Sequence, residues 1–208
     1  TASASPGDQG GFAVVRRGRI RQAAWVVPLD WESLPTEELL DVRLCDLGLT
    51  VADTWLEDCV ARLREELDDA GLRRFRLHTW LSDEWCSPDG VPGVGIPFYL
   101  AHSRLIRLER QMMFEVEGGT RTECMRLLRH EAGHALQHAY NLQRRKRWQR
   151  AFGRASQPYP EFYRPNPLSK GFVEHLDGWY AQAHPVDDFA WLPVPGSTTA
   201  AVRPRRWT

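Results

Sequence analysis

The feature that most constrains this chain is the run Arg129–Ala135, which reads RHEAGHA. His130 and His134 are four residues apart, so on a helix their side chains project from the same face. Two imidazoles at this spacing can bind one metal ion, and Glu131 can reach a water molecule on that ion. The competing interpretation is a core helix with two ordinary, partly buried histidines. We favour a metal-binding helix, because the flanking sequence is helical as well.

The residues around this run have a helical pattern. Residues 122–148 contain no proline and a single glycine, Gly133. Their apolar residues recur at helical spacing, namely Met125, Leu127, Leu128, Ala132, Leu136 and Leu142. A glycine inside a helix costs about 1 kcal/mol relative to alanine. We therefore expect another part of the molecule to approach the helix closely at this turn.

The composition is that of one globular domain with a sizeable core. The chain has 208 residues, of which 42% are hydrophobic. Lys+Arg and Asp+Glu are equal at 27 each, so no net charge attracts nucleic acid or a membrane surface. No apolar run approaches transmembrane length, and Thr1–Gly11 has no signal-peptide pattern. The four cysteines form no C-x-x-C pair, and we expect reduced thiols and a cytoplasmic location.

Three segments are predicted along the chain. Residues 1–24 begin with a stretch rich in Gly, Ser and Pro and form a disordered tail. Residues 25–190 form the domain. Residues 191–208 contain three prolines and no periodicity, so we expect an irregular tail, truncated or altered. Two arginine-rich runs, at 16–21 and 144–150, could bind nucleic acid, but a solvated arm and a helix C-terminus rich in cations are the simpler interpretations.

Several helices are predicted besides the metal-binding one. Residues 33–48 contain a short helix that ends at Gly48. A capping box, Thr54-x-x-Glu57, starts a second helix that Gly71 ends and that places Cys59 in the core. Residues 170–183 have a third helical pattern.

Two strand patterns complete the predicted fold. Phe75–Leu81 alternates apolar and polar residues as a strand does. Ile96–Ala101 is the second candidate, and Pro97 predicts that it lies at a sheet edge. Residues 105–114 fit either a strand or a short helix. We predict an α+β fold that is mostly helical, with a small sheet whose edge strand lies beside the HExxH helix.

Two histidines do not complete a catalytic zinc site, which also needs a third protein ligand and an open position. His138 lies about 12 Å of helical rise from His130, too far to bind the same ion. The glycine that bends the chain after the second histidine in metzincins is absent here. A carboxylate from a later helix remains, and the candidates are Asp187, Asp188 and Glu174, with His184 as a further alternative.

The chain from about Trp31 to Ala190 resembles a bacterial family of zinc-binding metallopeptidases whose activity is inferred from the HExxH motif. The matching stretches are ELLDVRLCDLGL at 38–49, WLSDEW at 80–85, PDGVP at 88–92, IPFYLAH at 96–102, RHEAGHA at 129–135 and WYAQ at 179–182. The resemblance implies a zincin-like fold of the gluzincin type, a bound Zn2+ ion, and an edge strand that can align an extended peptide.

The resemblance also implies a third ligand. In the family the segment after the His-Pro pair runs Glu-Asp-Phe-Ala-Glu, and here Asp replaces its first Glu at 187 and Trp191 replaces its last. A similar Tyr-x6-Glu-x-Phe-Ala spacing is found in the peptidase domain of anthrax lethal factor, where the Glu binds zinc and the Tyr stabilises the transition state. Asp187 is therefore the implied ligand, although it is one methylene shorter than Glu, and Tyr180 is the implied catalytic helper.

The function implied by this resemblance is zinc-dependent hydrolysis of peptide bonds in a peptide or protein substrate. His130, His134 and Asp187 bind the zinc, Glu131 activates a water molecule, and Tyr180 helps to stabilise the oxyanion. One alternative is a zincin-fold protein that is impaired in catalysis and acts as a binding module. Nucleic-acid binding is disfavoured by the neutral charge balance.

Overall fold

A computed structural model describes residues 30–166 and 181–191. The chain divides into two compact units, residues 1–42 and 43–208. In the first unit, helix α1 spans Thr36–Leu40 and follows a turn in which the Ser33 hydroxyl donates to the carboxylate of Asp30 at 2.9 Å. The predicted helix over 33–48 is therefore wrong in its length.

Several predicted features lie outside the described residues. They are the disordered tail at 1–24 with its arginines, the irregular tail beyond Trp191, and most of the helical pattern at 170–183, including Glu174 and Tyr180. The second unit begins with a short 3-10 helix at Leu44–Asp46.

Helix α2, Trp55–Asp69, confirms the second predicted helix. The Thr54 hydroxyl accepts from the Leu56 amide at 3.2 Å, and the Glu57 carboxylate accepts from the Asp53 amide at 2.8 Å. Both side chains thus satisfy backbone donors at the helix start, although Glu57 reaches one residue further back than in a capping box. The buried apolar face consists of Leu56, Cys59, Val60, Leu63 and Leu67, and so places Cys59 in the core as predicted.

The sheet in the described residues has two parallel strands, β1 (His78–Ser82) and β2 (Gly93–Pro97). Strand β1 confirms the first strand pattern, although it begins three residues later than Phe75. The second pattern is only half right. Phe98–Ala101 form a 3-10 helix directly after β2.

Strand β2 is one of the two strands of this sheet and therefore lies at a sheet edge, as Pro97 predicted, although one of its residues is also bridged on the open side. One side of β2 pairs with β1, and on the other side Gly95 forms an antiparallel bridge with Cys86. The two bridge hydrogen bonds measure 2.8 and 3.3 Å. A Cβ at Gly95 would lie 2.6 Å from the Cys86 sulfur, so glycine permits this pairing. Pro97 is tolerated because it is the last residue of the strand.

Helix α3, Ser103–Met113, settles the region that fitted either a strand or a helix. The His102 ring caps its start, because Nδ1 accepts from the Arg104 amide at 3.3 Å. Phe114 ends it in the left-handed region, with φ of 66°. The helix leads into the turn before the HExxH helix.

Helix α4, Arg121–Ala139, carries the HExxH run and confirms the central prediction of a helix there. The helix ends earlier than predicted, because Asn141 adopts a left-handed conformation with φ of 49°. Helix α5, Lys146–Phe152, follows after a short 3-10 turn. Lys146 and Arg147 therefore lie in the first turn of α5, and the prediction that the dipole of a helix C-terminus stabilises them is wrong.

Helix α4 is the centre of the second unit and packs against α2, β2 and α6, which spans Pro185–Ala190. The described residues thus form an α+β structure with six α-helices and one small sheet. None of their helices combines the length and the apolar character that crossing a membrane requires. All four cysteines carry free thiols.

Candidate metal centre

The two histidines of the HExxH run share one face of α4, as predicted. The Nε2 atoms of His130 and His134 lie 3.1 Å apart, and the two rings are nearly perpendicular, at 86°. Their side chains are 9% and 14% exposed. Two imidazole nitrogens therefore converge on one small space at the surface of the helix.

Asp187 supplies the third polar group of this space. Its Oδ1 atom lies 3.7 Å from Nε2 of His134, and its side chain is 5% exposed. One ligand atom from each of His130, His134 and Asp187 lies within 4.8 Å of the other two. Among the described residues, this is the cluster that could hold a metal ion, and Asp188 is not part of it.

Helix α6 reaches the histidines because α4 has a glycine where the two helices meet. A Cβ at Gly133 would lie 2.7 Å from both Cα and the carbonyl oxygen of Ala190. Such a contact does not occur between real Cβ atoms and backbone. The expected close approach at Gly133 is therefore confirmed, and the approaching element is the backbone of the helix that carries Asp187.

Aromatic packing holds the opposite side of α6. The Phe189 ring lies 5.4 Å from the Phe152 ring at 86°, and 5.9 Å from the Trp148 ring. Aromatic pairs at such distances each contribute about 1 kcal/mol beyond the burial of their area. Asp187 is thus carried on a short helix that is fixed to α4 at Ala190 and to α5 at Phe189.

His184 is not a ligand, which corrects one of the alternatives. It precedes α6, and its Nδ1 accepts from the Val186 amide at 3.4 Å. Its Nε2 donates to the carbonyl oxygen of Gln157 at 2.9 Å. Both ring nitrogens are engaged, so the imidazole has no lone pair left for a metal.

Glu131 is buried beside the cluster, and its Oε1 lies 3.9 Å from Nε2 of His130. Burial, reinforced by the negative charges of Glu117, Asp187 and Glu84, raises the pKa of Glu131 to about 7. A carboxyl group with a pKa near the working pH can both accept and release a proton. The environment of Glu131 thus fits the general base that the motif predicts.

The protonation states of the cluster favour metal binding near neutral pH. Burial lowers the pKa of His130 to about 3 and that of His134 to about 4, so both rings are neutral and keep a free lone pair. Burial also raises the pKa of Asp187 to about 6, and a hydrogen bond from Tyr159 opposes that shift. At pH 7 the cluster offers two neutral imidazoles and a carboxylate.

Two buried atoms without hydrogen-bond partners among the described residues show how well these residues fit a metal ion. Oδ2 of Asp187 and Nδ1 of His130 are both buried and have no hydrogen-bond partner in the part of the chain that the structure describes. A metal ion would compensate the buried carboxylate. Nδ1 of His130 lacks the acceptor that usually orients a metal-binding histidine, and the Trp191 ring lies against this imidazole at 4.2 Å. The three ligand atoms therefore fit a metal ion, but no hydrogen bond from the described residues orients the His130 ring.

The cluster lines a cavity of about 500 Å³. Sequence reasoning did not select four of its polar lining residues for the site: Ser87, Asp89, His138 and Tyr159. His138 accompanies the helical histidines, but its Nε2 contacts Asp89 at 3.1 Å rather than the metal cluster. Ser87, Asp89 and Tyr159 come from loops, where no periodic pattern marks a residue that faces a site.

Tyr180, the implied catalytic helper, lies outside the described residues, as does the alternative ligand Glu174. Comparison of this chain with known protein families, with curated proteins and with solved structures gives no match. The family resemblance noted in the sequence therefore stays a prediction, and the geometry of the cluster carries the functional argument.

Proposed function

We propose that this protein is a zinc-dependent metallopeptidase with a zincin-like arrangement of the gluzincin type. The observation that carries the proposal is the convergence of His130, His134 and Asp187 next to the buried carboxyl group of Glu131. Many catalytic zinc sites have two imidazoles and one carboxylate as protein ligands and keep a further position open. Here that position would face the cavity.

The ligand set favours zinc over calcium and magnesium. Zinc takes nitrogen and oxygen ligands in tetrahedral sites, whereas calcium and magnesium prefer sites made only of oxygen. When bound, zinc polarises a substrate carbonyl group and lowers the pKa of water to about 7. His130, His134 and Asp187 would hold it.

Glu131 is the proposed general base. Its carboxylate takes a proton from the attacking water and later delivers that proton to the nitrogen of the leaving amine. In the metal-free protein, burial raises the pKa of Glu131 to about 7, so this carboxyl group can exchange a proton near neutral pH. The side chain is buried at the base of the cavity, which limits its contact with bulk water.

The cavity supports a peptide as the substrate class. It is open, and the loop residues Ser87 and Asp89 line it on the side of the sheet, next to the segment that bridges β2. Backbone groups of such a segment can hydrogen-bond an extended chain. A peptide or protein segment that lies across the cavity would place one carbonyl group at the cluster.

The experiment that tests this function combines metal analysis with a peptide-library screen. Purified protein, Glu131→Gln and His134→Ala are compared for zinc content and for cleavage. We expect about one zinc per chain and cleavage in the wild type, zinc without cleavage in Glu131→Gln, and neither in His134→Ala. Cleavage by Glu131→Gln would refute the assignment of the base.

A second candidate function is a zincin-like binding protein that is impaired in catalysis. The observation that favours it is the contact between Trp191 and His130, whose buried Nδ1 has no acceptor among the described residues. Loss of such a supporting hydrogen bond commonly costs about 10- to 100-fold in metal affinity or activity. A folded wild type without stoichiometric zinc would favour this candidate.

A further inference from the structure

The loop at 155–166 reaches the metal cluster through Tyr159. This residue lines the same cavity as Asp187 and the two histidines, and a hydrogen bond from its side chain lowers the pKa of Asp187. The side chain is nevertheless 56% exposed. An exposed tyrosine usually samples several rotamers, so a stable contact with Asp187 needs a second constraint.

His184 provides that constraint. The rings of Tyr159 and His184 are stacked, with centroids 3.9 Å apart and planes inclined by 15°. The His184 ring is itself fixed, because Nδ1 accepts from Val186 and Nε2 donates to Gln157, two residues before the tyrosine. The histidine thus joins the loop to the first turn of α6 by a ring contact and a backbone hydrogen bond.

We propose that Tyr159 is a positioning residue of the metal centre, whose hydroxyl holds the Asp187 carboxylate in the orientation that binds the ion. The inference rests on the metal site of the proposed function. It concerns a residue that neither the HExxH motif nor the resemblance to zinc peptidases marks. It also assigns a role to His184, which orients the tyrosine instead of binding metal.

Asp187 has particular need of such support. An aspartate is one methylene shorter than the glutamate that the family resemblance implies at this position, so fewer of its rotamers reach the histidines. Its Oδ1 lies 3.7 Å from Nε2 of His134, and no hydrogen bond reaches its Oδ2 from the described residues. In the proposed arrangement the tyrosine hydroxyl donates to this carboxylate and restricts its rotation.

The test is Tyr159→Phe, which removes the hydroxyl and keeps the stacked ring. Zinc affinity is measured by competition with a chromophoric chelator, and we expect it to fall about 10- to 100-fold, as for other residues that orient metal ligands. The matched control is Tyr163→Phe, a tyrosine of the same loop that does not line the cavity. An unchanged affinity in Tyr159→Phe would overturn the inference.

Two further measurements separate positioning from a general effect on folding. In an Asp187→Ala background, Tyr159→Phe should cause no additional loss of affinity, because the hydroxyl acts through that carboxylate. With saturating Co2+ as the metal, Tyr159→Phe should change the visible absorption bands, which report the ligand geometry, and Tyr163→Phe should not. Equal and additive losses in both backgrounds would refute the role.

The inference and the proposed peptidase activity fail in different ways. A wild type that binds zinc but cleaves no peptide refutes the activity, while the affinity of Tyr159→Phe still decides the positioning role. A wild type that cleaves peptides, with Tyr159→Phe equal to it in zinc affinity, refutes only the positioning role.

Discussion

Gly133 and Ala190 are in backbone-to-backbone contact, and no side chain fits between them: a Cβ on Gly133 would lie 2.7 Å from two backbone atoms of Ala190. The contact joins the HExxH helix to the helix that bears Asp187, three residues before Ala190. The separation of these two helices thus determines whether the carboxylate reaches the histidines.

Gly133→Ala should therefore have an effect opposite to the usual one. In an ordinary helix the substitution stabilises by about 1 kcal/mol, but here the new methyl group must push α6 away. We expect the metal-free protein to be destabilised by about 1 to 3 kcal/mol, as in other overpacked cores, and zinc affinity to fall. Urea unfolding with a chelator present measures the first effect, and chelator competition the second.

Ala139→Gly is the control for this substitution, because Ala139 is exposed in the last turn of the same helix. It measures the effect of glycine on helix stability without any contact at α6, and it should leave zinc affinity unchanged. If Gly133→Ala stabilised the protein and kept its zinc affinity, the backbones of Gly133 and Ala190 would not be in contact.

The part of the site that lies on one helix could be predicted from the sequence, and the part that depends on tertiary contacts could not. His130, Glu131 and His134 are related by helical geometry alone, and the glycine at 133 already indicated a close neighbour. Tyr159 is different, because its place depends on a ring contact with His184, 25 residues later. No local pattern encodes such a pairing.

The errors in the fold have similar causes. The helix over 122–148 was predicted from continuous apolar spacing, but Asn141 adopts the left-handed conformation, which asparagine tolerates better than most residues. The strand predicted at Ile96–Ala101 ends at Pro97, and Phe98–Ala101 continue as a 3-10 helix. In both cases a local change of backbone conformation ended an element that the apolar pattern continued.

The raised pKa of Glu131 predicts a pH-dependent stability that its glutamine variant lacks. Below pH 4.5 the carboxyl group is protonated in both the folded and the unfolded protein. As the pH rises towards 7, the unfolded chain ionises first, so the wild type loses stability until the folded pKa of about 7 is passed. The full loss corresponds to about 3 kcal/mol.

Metal-free Glu131→Gln should therefore be more stable than the wild type at pH 8 by up to about 3 kcal/mol, and nearly equal to it at pH 4.5. The contributions of His130 and His134 are common to both proteins and largely cancel in this difference. Urea unfolding at the two pH values, with a chelator present, provides the measurement. A difference that did not grow with pH would show that Glu131 titrates normally in the folded protein.

Phe189→Ala should weaken metal binding from a distance. The ring packs between Trp148 and Phe152 and fixes the side of α6 that faces away from the histidines. Its removal should destabilise the protein by about 3 kcal/mol and lower zinc affinity, because Asp187 is no longer fixed. Phe162→Ala is the matched control, since that ring is 87% exposed and both quantities should stay at their wild-type values.

The ion pair between Glu66 and Arg129 is the strongest polar link between α2 and the helix that carries the site. The guanidinium group donates through Nε and an Nη atom to the two carboxylate oxygens, both at 2.8 Å, and Arg129 directly precedes His130. The hydrogen bonds from Arg129 lower the pKa of Glu66. The stabilisation is therefore present above the ordinary glutamate pKa and is lost as the pH falls through the lowered value.

Arg129→Met should destabilise the protein by about 3 to 5 kcal/mol at pH 7, because Glu66 is then left buried without its main partner. Arg62→Gln, which removes the other and largely exposed arginine on Glu66, should cost less than about 1 kcal/mol. In the double variant Glu66→Met/Arg129→Met most of the loss should be recovered, since no unpaired charge remains. Urea unfolding of the three variants measures these differences, and equal losses for Arg62→Gln and Arg129→Met would contradict the unequal roles of the two arginines.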